Sequence, residues 1–223
     1  MLILAIDTSA VASAALLSDD RAAGLDSSFA TSDTRSHAEV LVPGIHDLMT
    51  AHNVGAEAIN AIVVGVGPGP FTGLRSGIAT ARTLAYVWNK PLYGVMSLDA
   101  VALQVAESEA AVPEFAVATD ARRKEVYWAT YRLDADLRPH LAEGPYVGPA
   151  KDLPALQVFG AGAGLYADDL LAHPDFCRVQ PDALHLGRSA LARLLASEPL
   201  LDSTPLYLRE SDAQVPGPRK RAL

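Results

Sequence analysis

Apolar residues gather in short runs along the first hundred positions, and polar or turn-forming residues end each run. Leu2-Ile3-Leu4-Ala5-Ile6 reads as a strand ending at Asp7-Thr8-Ser9, and Ala12 to Leu17 as a second strand closed by Ser18-Asp19-Asp20. A third extended segment is expected over Ala22 to Ala30. Ser36-His37-Ala38-Glu39 fits a helix-opening capping box, and Leu41, Ile45, Leu48, Met49 and His52 follow at helical spacing. Pro43-Gly44 interrupts that spacing, so the helix is expected to kink or restart there. Ala61 to Val66 then reads as a buried strand, Thr72 to Trp88 as a helix, Leu92 to Val95 as a strand and Ser97 to Ala106 as a helix.

The second half opens in the same way. Glu114 to Asp120, a turn through Ala121-Arg122-Arg123-Lys124, and Glu125 to Leu133 repeat the order strand, Asp turn, strand. Val158-Phe159-Gly160-Ala161-Gly162-Ala163-Gly164 echoes Val63-Val64-Gly65-Val66-Gly67-Pro68-Gly69, so a duplicated lobe is indicated. Two ribonuclease-H-like halves of this kind resemble the actin, sugar-kinase and Hsp70-like ATPase (ASKHA) fold, an α/β architecture with a cleft between its lobes. The expected division is 1–105 for the first lobe, 106–210 for the second and 211–223 for a mobile tail, with Ser203 onward starting as a strand-like piece.

Composition narrows the function classes. The 223 residues are 50% hydrophobic and 20% charged, enough for a real core and incompatible with disorder. The net charge is -8, and the last few residues hold the dense basic run Arg219-Lys220-Arg221, so a main role in gripping nucleic acid is not expected. Cys177 is the single cysteine, which leaves no intramolecular disulfide and no thiolate zinc cluster. The apolar start lacks the basic flank of a secretory signal and carries Asp7 within it, and no run is long enough to span a membrane; a cytoplasmic protein is expected.

Candidate chemistry is sparse. The segment Gly65 to Gly77 follows a strand and opens a helix, where anions bind free N–H groups. It lacks the Gly-Lys-Ser/Thr of a P-loop, and Pro68 and Pro70 remove two donors, so a rigid turn with Thr72 as helix cap is the stronger reading. Gly73, Gly77 and Ala81 form a small-residue stripe that lets another helix approach closely. Asp7 suits a turn residue bonding its own backbone better than a metal ligand, because Thr8-Ser9-Ala10-Val11 supplies no glycine for a phosphate hairpin. The six histidines show no i, i+4 pair, and neither a metal nor a cofactor is expected. Arg122-Arg123-Lys124 reads first as a solvated hairpin tip; an acidic partner or RNA phosphate is the alternative.

Together, Ile3-Leu4-Ala5-Ile6-Asp7-Thr8-Ser9, Ser36-His37-Ala38-Glu39 with Pro43, Gly67 to Gly77, Asp120-Ala121-Arg122-Arg123 with Glu125-Val126-Tyr127, and Pro205-Leu206-Tyr207-Leu208-Arg209 resemble the TsaB (YeaZ) family. The resemblance implies a non-catalytic relative and obligate partner of a TsaD-like transferase, which adds threonylcarbamoyl to the adenosine beside the anticodon of tRNAs reading codons that start with A. Leu41 stands where the catalyst would need a second helical histidine. The resemblance further implies a heterodimer with the transferase, a homodimer when alone, a TsaE-like ATPase reached through the complex, and tRNA met indirectly. It places the partner interface on the helices starting near Ser36 and Thr72, with Leu41, Ile45, Leu48, Leu74, Ile78 and Ala81 as contacts and Arg75 and Arg82 pairing with carboxylates across the seam. The competing reading is an enzyme: a weak ATPase or phosphotransferase of the same fold, or a peptidase-like protein.

Overall fold

A computed structural model describes residues 1–20, 25–31 and 37–209. The chain order is β1 (Leu2–Asp7), β2 (Ser13–Ser18), β3 (Asp26–Ala30), α1 (His37–Ala51), β4 (Ala61–Gly65), α2 (Phe71–Trp88), β5 (Leu92–Val95) and α3 (Ser97–Ala106). It continues with β6 (Glu114–Asp120), β7 (Val126–Leu133), β8 (Pro139–Gly148), β9 (Gln157–Phe159), α4 (Ala161–Leu165), β10 (Leu171–Ala172) and α5 (Ala183–Leu195). Two five-stranded sheets result, ordered β3-β2-β1-β4-β5 and β8-β7-β6-β9-β10. In each, the first three strands run antiparallel and the last two lie parallel to the first. Adding five to every strand number converts one sheet into the other. That identity of order and direction is the duplicated ribonuclease-H-like plan of the ASKHA fold.

Burial explains why β1 reads as a continuous apolar run. Leu4 and Ile6 point to one face, where they meet Leu41, Ile45 and Leu48 of α1 and Leu74, Ile78 and Ala81 of α2. Ile3 and Ala5 point to the other face and meet Ala183, Leu186 and Ala190 of α5. A strand covered on both faces has no polar positions to alternate with. Each fully buried Leu or Ile here contributes roughly 1.5–3 kcal/mol of transfer free energy.

The lobes exchange their last helices. α3 packs its Leu98, Val101, Ala102 and Val105 onto Phe115, Val117, Ala129 and Tyr131 of the second sheet. α5, which follows the second lobe in sequence, returns to β1 and β2. A division at residue 105 assigns α5 to the second lobe by sequence, whereas its contacts are with the first. Asp182 caps α5 by accepting the His185 N–H at 2.9 Å, and Ser13 Oγ accepts the Ala183 N–H at 3.1 Å, which ties the cap to β2.

Two local expectations change, and others lie outside the described residues. α1 runs through Pro43 as one uninterrupted helix. The proline is on the exposed side, where water can satisfy the Glu39 carbonyl that loses its donor. Ser36, the capping residue of the expected box, and the start of the third extended segment, residues 22–24, lie outside the described residues. The described residues 203–209 form no strand; instead Leu201 and Gly94 exchange both backbone hydrogen bonds, and the Leu206 N–H donates to the Val66 carbonyl at 2.8 Å. Residues 211–223, expected as a tail, lie outside the described residues.

Candidate functional site

Asp7 ends β1 at the place where an ATPase of this fold would hold its metal and phosphates. Its side chain is fully buried. Oδ1 accepts the Ser9 N–H at 2.9 Å and the Ser9 hydroxyl at 2.6 Å, and Oδ2 accepts the Ser97 hydroxyl at 2.6 Å. Ser97 Oγ in turn accepts the Gly67 N–H at 3.2 Å. The carboxylate therefore joins the ends of β1, the glycine loop and the start of α3, and Gly65 packs directly on it. Burial pushes its pKa up against the opposing pull of the Ser9 and Ser97 hydrogen bonds. This is the self-bonding turn expected from the sequence, carrying a second task as an internal brace.

The glycine loop closes onto the same turn. The Ser97 N–H donates to the Gly67 carbonyl at 2.8 Å, and the Thr8 hydroxyl donates to the Gly73 carbonyl at 2.8 Å. A side chain at Gly77 would overlap Thr8 Oγ1 and come within 3.1 Å of its methyl group. What approaches the small stripe of α2 is thus the turn after β1 rather than a second helix. Thr72 is not a cap: Pro70 holds the position before the helix and no side chain bonds the free N–H groups there. The corresponding Asp120 accepts the Arg122 N–H at 2.7 Å and pairs with the Arg122 guanidinium at 3.1 Å.

Residues 201–209 run as a strap across the cleft end of both lobes. Arg75 Nε donates to the Tyr207 hydroxyl at 3.1 Å, and its guanidinium lies 3.9 Å from the Phe71 ring centroid. Phe71 and Tyr207 stack at 4.2 Å. Arg82 donates to the Ser203 hydroxyl and carbonyl, both at 2.9 Å. At the far end, Arg209 donates to the Ala121 carbonyl at 3.0 Å and pairs with Glu125. The two α2 arginines, expected to meet carboxylates of another chain, are bonded to this chain's own strap.

The apolar contacts expected at the interface are placed elsewhere. Leu41, Ile45, Leu48, Leu74, Ile78 and Ala81 are buried in the first-lobe core, none more than 7% exposed. Periodicity locates an apolar stripe but not which stripe faces inward, and these six chose the sheet. The same helices turn other side chains outward: Val42 is 50% exposed, Tyr86 88% and Val87 68%, with Pro43, His46, Ala79 and Thr83 also at the surface. Sequence reasoning missed Tyr86 and Val87, although Ala85-Tyr86-Val87-Trp88 carries a signal. Four successive helical residues circle the whole axis, so on a helix packed along one side an unbroken apolar run turns some of them outward.

A cavity of about 1050 Å³ opens between α3, α5 and β8. Two arginines of its lining pair with acidic groups of the same lining: Arg188 with Asp26 at 3.0 Å and Glu107 at 3.2 Å, and Arg193 with Asp99 at 3.8 Å. Burial lifts the Asp99 pKa to about 6, even though the Tyr131 hydroxyl donates to it at 2.8 Å. Among the described residues no group of three His, Cys, Asp or Glu side chains could hold a metal ion, and no helix is long and apolar enough to cross a membrane.

Comparison with known proteins places this geometry. The family model for TsaD, tRNA N6-adenosine threonylcarbamoyltransferase, matches residues 27–158, more than half of the chain. A Mycobacterium tuberculosis protein, itself described only as uncharacterized, is 41% identical over 191 residues, 82% of this chain and 80% of its own. The Escherichia coli tRNA threonylcarbamoyladenosine biosynthesis protein TsaB is 37% identical over 134 residues, 60% of this chain and 56% of its own. YeaZ from Pseudomonas aeruginosa superposes with a TM-score of 0.78 at 28% identity, covering 93% of this chain and 99% of that one. The chain belongs to the TsaB (YeaZ) family. The place of that family is tRNA threonylcarbamoyladenosine biosynthesis, the process named in its E. coli member. Against this background, the two lobes of this TsaB-family chain keep the ATPase plan while Asp7, Thr8 and Ser9 are committed to internal bonds.

Proposed function

We propose that this chain is a non-catalytic subunit that binds a TsaD-like transferase and supports threonylcarbamoyl transfer to the adenosine beside the anticodon in tRNAs reading codons that start with A. Docking uses the outward sides of α1 and α2, through Val42, Pro43, His46, Ala79, Thr83, Tyr86 and Val87. The carrying observation is the exposure of Tyr86 and Val87, 88% and 68%, on a helix whose opposite side is fully used by the core. Large apolar side chains standing together in water mark an interaction surface. The same surface pairs two copies when the transferase is missing, and a TsaE-like ATPase joins through the assembled complex.

The internal bonding of Asp7 supports a supporting role over a chemical one. A catalytic carboxylate must reach substrate or metal, and both oxygens of Asp7 are taken by Ser9 and Ser97. Reconstitution tests the reading. Modification of unmodified tRNA is expected with the transferase and this chain together and to vanish when this chain is omitted. Equal modification by the transferase alone would overturn it.

A further inference from the structure

The proposed docking through α1 and α2 makes no use of the cavity between α3, α5 and β8. Its volume of about 1050 Å³ suits a small-molecule site, for which about 300–1,000 Å³ is usual. Its inner wall is apolar: Leu17 comes from β2, Met96 from the start of α3, Leu103 from α3 itself and Leu191 from α5. Leu141, Leu195 and Leu201 also line it, yet they are 48%, 57% and 43% exposed. Large apolar side chains held in water around one opening are what the hydrocarbon part of a ligand would cover.

Asp99 gives this wall a polar point. It sits in the first turn of α3 and lines the cavity with a side chain only 17% exposed. Oδ1 accepts the Tyr131 hydroxyl at 2.8 Å. Oδ2 has the Arg193 guanidinium at 3.8 Å, beyond hydrogen-bond reach, and Arg193 is held there by donating to the Pro199 carbonyl at 2.5 Å. The cavity therefore meets a carboxylate oxygen that lacks a hydrogen-bond donor among the described residues. A carboxylate so placed is poorly solvated, which is why its pKa rises to about 6. Elsewhere in the lining, Arg188 is engaged with Asp26 and Glu107, and Asp19 with the chain's amino terminus. Carboxylates outnumber arginines among the described lining residues, so the cavity favours a cation over an anion.

We infer that this cavity binds a small molecule ending in a primary ammonium on an aliphatic stem: the ammonium donates to Asp99 Oδ2, and the stem lies along Leu17, Met96, Leu103 and Leu191. Charge-assisted hydrogen bonds are about twice as strong as neutral ones, so an ammonium outdoes an alcohol of equal length. A fatty acid of that length meets Asp99 with like charge. Because α5 packs on the first sheet and β8 belongs to the second, such a ligand touches both lobes.

The test is calorimetric titration of the full chain with octylammonium, 1-octanol and octanoate. Octylammonium is expected to bind at one site per chain, at least about tenfold more tightly than octanoate. Its affinity should rise about tenfold from pH 5 to pH 7, as Asp99 passes from mostly protonated to mostly ionised. Asp99→Asn should weaken octylammonium at least about tenfold and remove that pH dependence, with octanol binding changed less than about twofold. His140 also lines the cavity, and His140→Gln is expected to keep the pH dependence. Ser189→Phe, which fills the cavity from α5, should block both octylammonium and octanol. It decides the matter if Asp99→Asn fails to fold. No saturable octylammonium binding would overturn the inference, as would octanol or octanoate binding equally well, or affinity unaltered in folded Asp99→Asn or Ser189→Phe. The lining residues lie off the outward sides of α1 and α2, so failure here leaves the docking proposal standing.

Discussion

Replacing Asp7 separates a brace from a catalyst. Asp7→Asn keeps an acceptor oxygen for both Ser9 bonds and presents an amide to Ser97 Oγ, so it loses one favourable arrangement, at about 1–2 kcal/mol. Asp7→Ala removes the acceptors for three donors and strands two serine hydroxyls in a fully buried site, at about 3–5 kcal/mol. In a chain of 223 residues each kcal/mol moves Tm by about 2–4 °C. The expected losses are therefore ~2–8 °C for Asn and ~6–20 °C for Ala. The pH dependence has a definite sign. Burial raises the folded pKa above the unfolded one, so stability from protonated Asp7 is full in acid and is lost as pH rises through the folded pKa. Asn does not titrate, and its Tm deficit should shrink as pH rises above the usual carboxylate range. The assay is thermal unfolding across pH, together with tRNA modification in the reconstituted system, where Asp7→Asn is expected to retain activity. A folded Asp7→Asn protein that binds the transferase yet abolishes modification would refute the reasoning.

Gly77→Ala puts a methyl group onto Thr8 and should cost about 1–3 kcal/mol by overpacking, with partial recovery in Thr8→Ala, read by denaturant unfolding. Asp99→Asn should remove a pH dependence: protonated Asp99 stabilises fully below about pH 4 and loses that contribution as pH rises through about 6, about 3 kcal/mol in all, read as the difference in stability between pH 4 and 7. Ile78→Glu, at a site 4% exposed, should unfold the chain and not merely dissociate it, as circular dichroism of the isolated protein will show.

Strand order was legible because apolar runs ended by Asp7-Thr8-Ser9 and by Asp120 mark the same position in two copies of one unit. The brace at Asp7 was half legible: the turn was visible, but the Ser97 bond crosses 90 residues and leaves no local trace. β8, Pro-His-Leu-Ala-Glu-Gly-Pro-Tyr-Val-Gly, gives neither alternation nor an apolar run because half of it is exposed and none of it is fully buried. The six apolar residues read as interface contacts face the chain's own core for a physical reason. Leu41, Ile45, Leu74 and Ile78 have the larger moment toward the sheet, and exposed apolar residues such as Tyr86 and Val87 break a helical pattern without announcing a partner. The strap of residues 201–209 has no pattern at all, since its hold on Arg75, Arg82 and Val66 comes from scattered hydrogen bonds and one ring stack.

The most direct measurement is the affinity of this chain for a TsaD-like transferase with Tyr86 and Val87 exchanged for aspartate, followed by calorimetry. Both side chains stand mostly in solvent, so Tyr86→Asp with Val87→Asp should leave Tm within a few degrees of the unmutated protein while weakening association at least about a hundredfold. Unchanged affinity in that folded variant would contradict docking through the outward sides of α1 and α2.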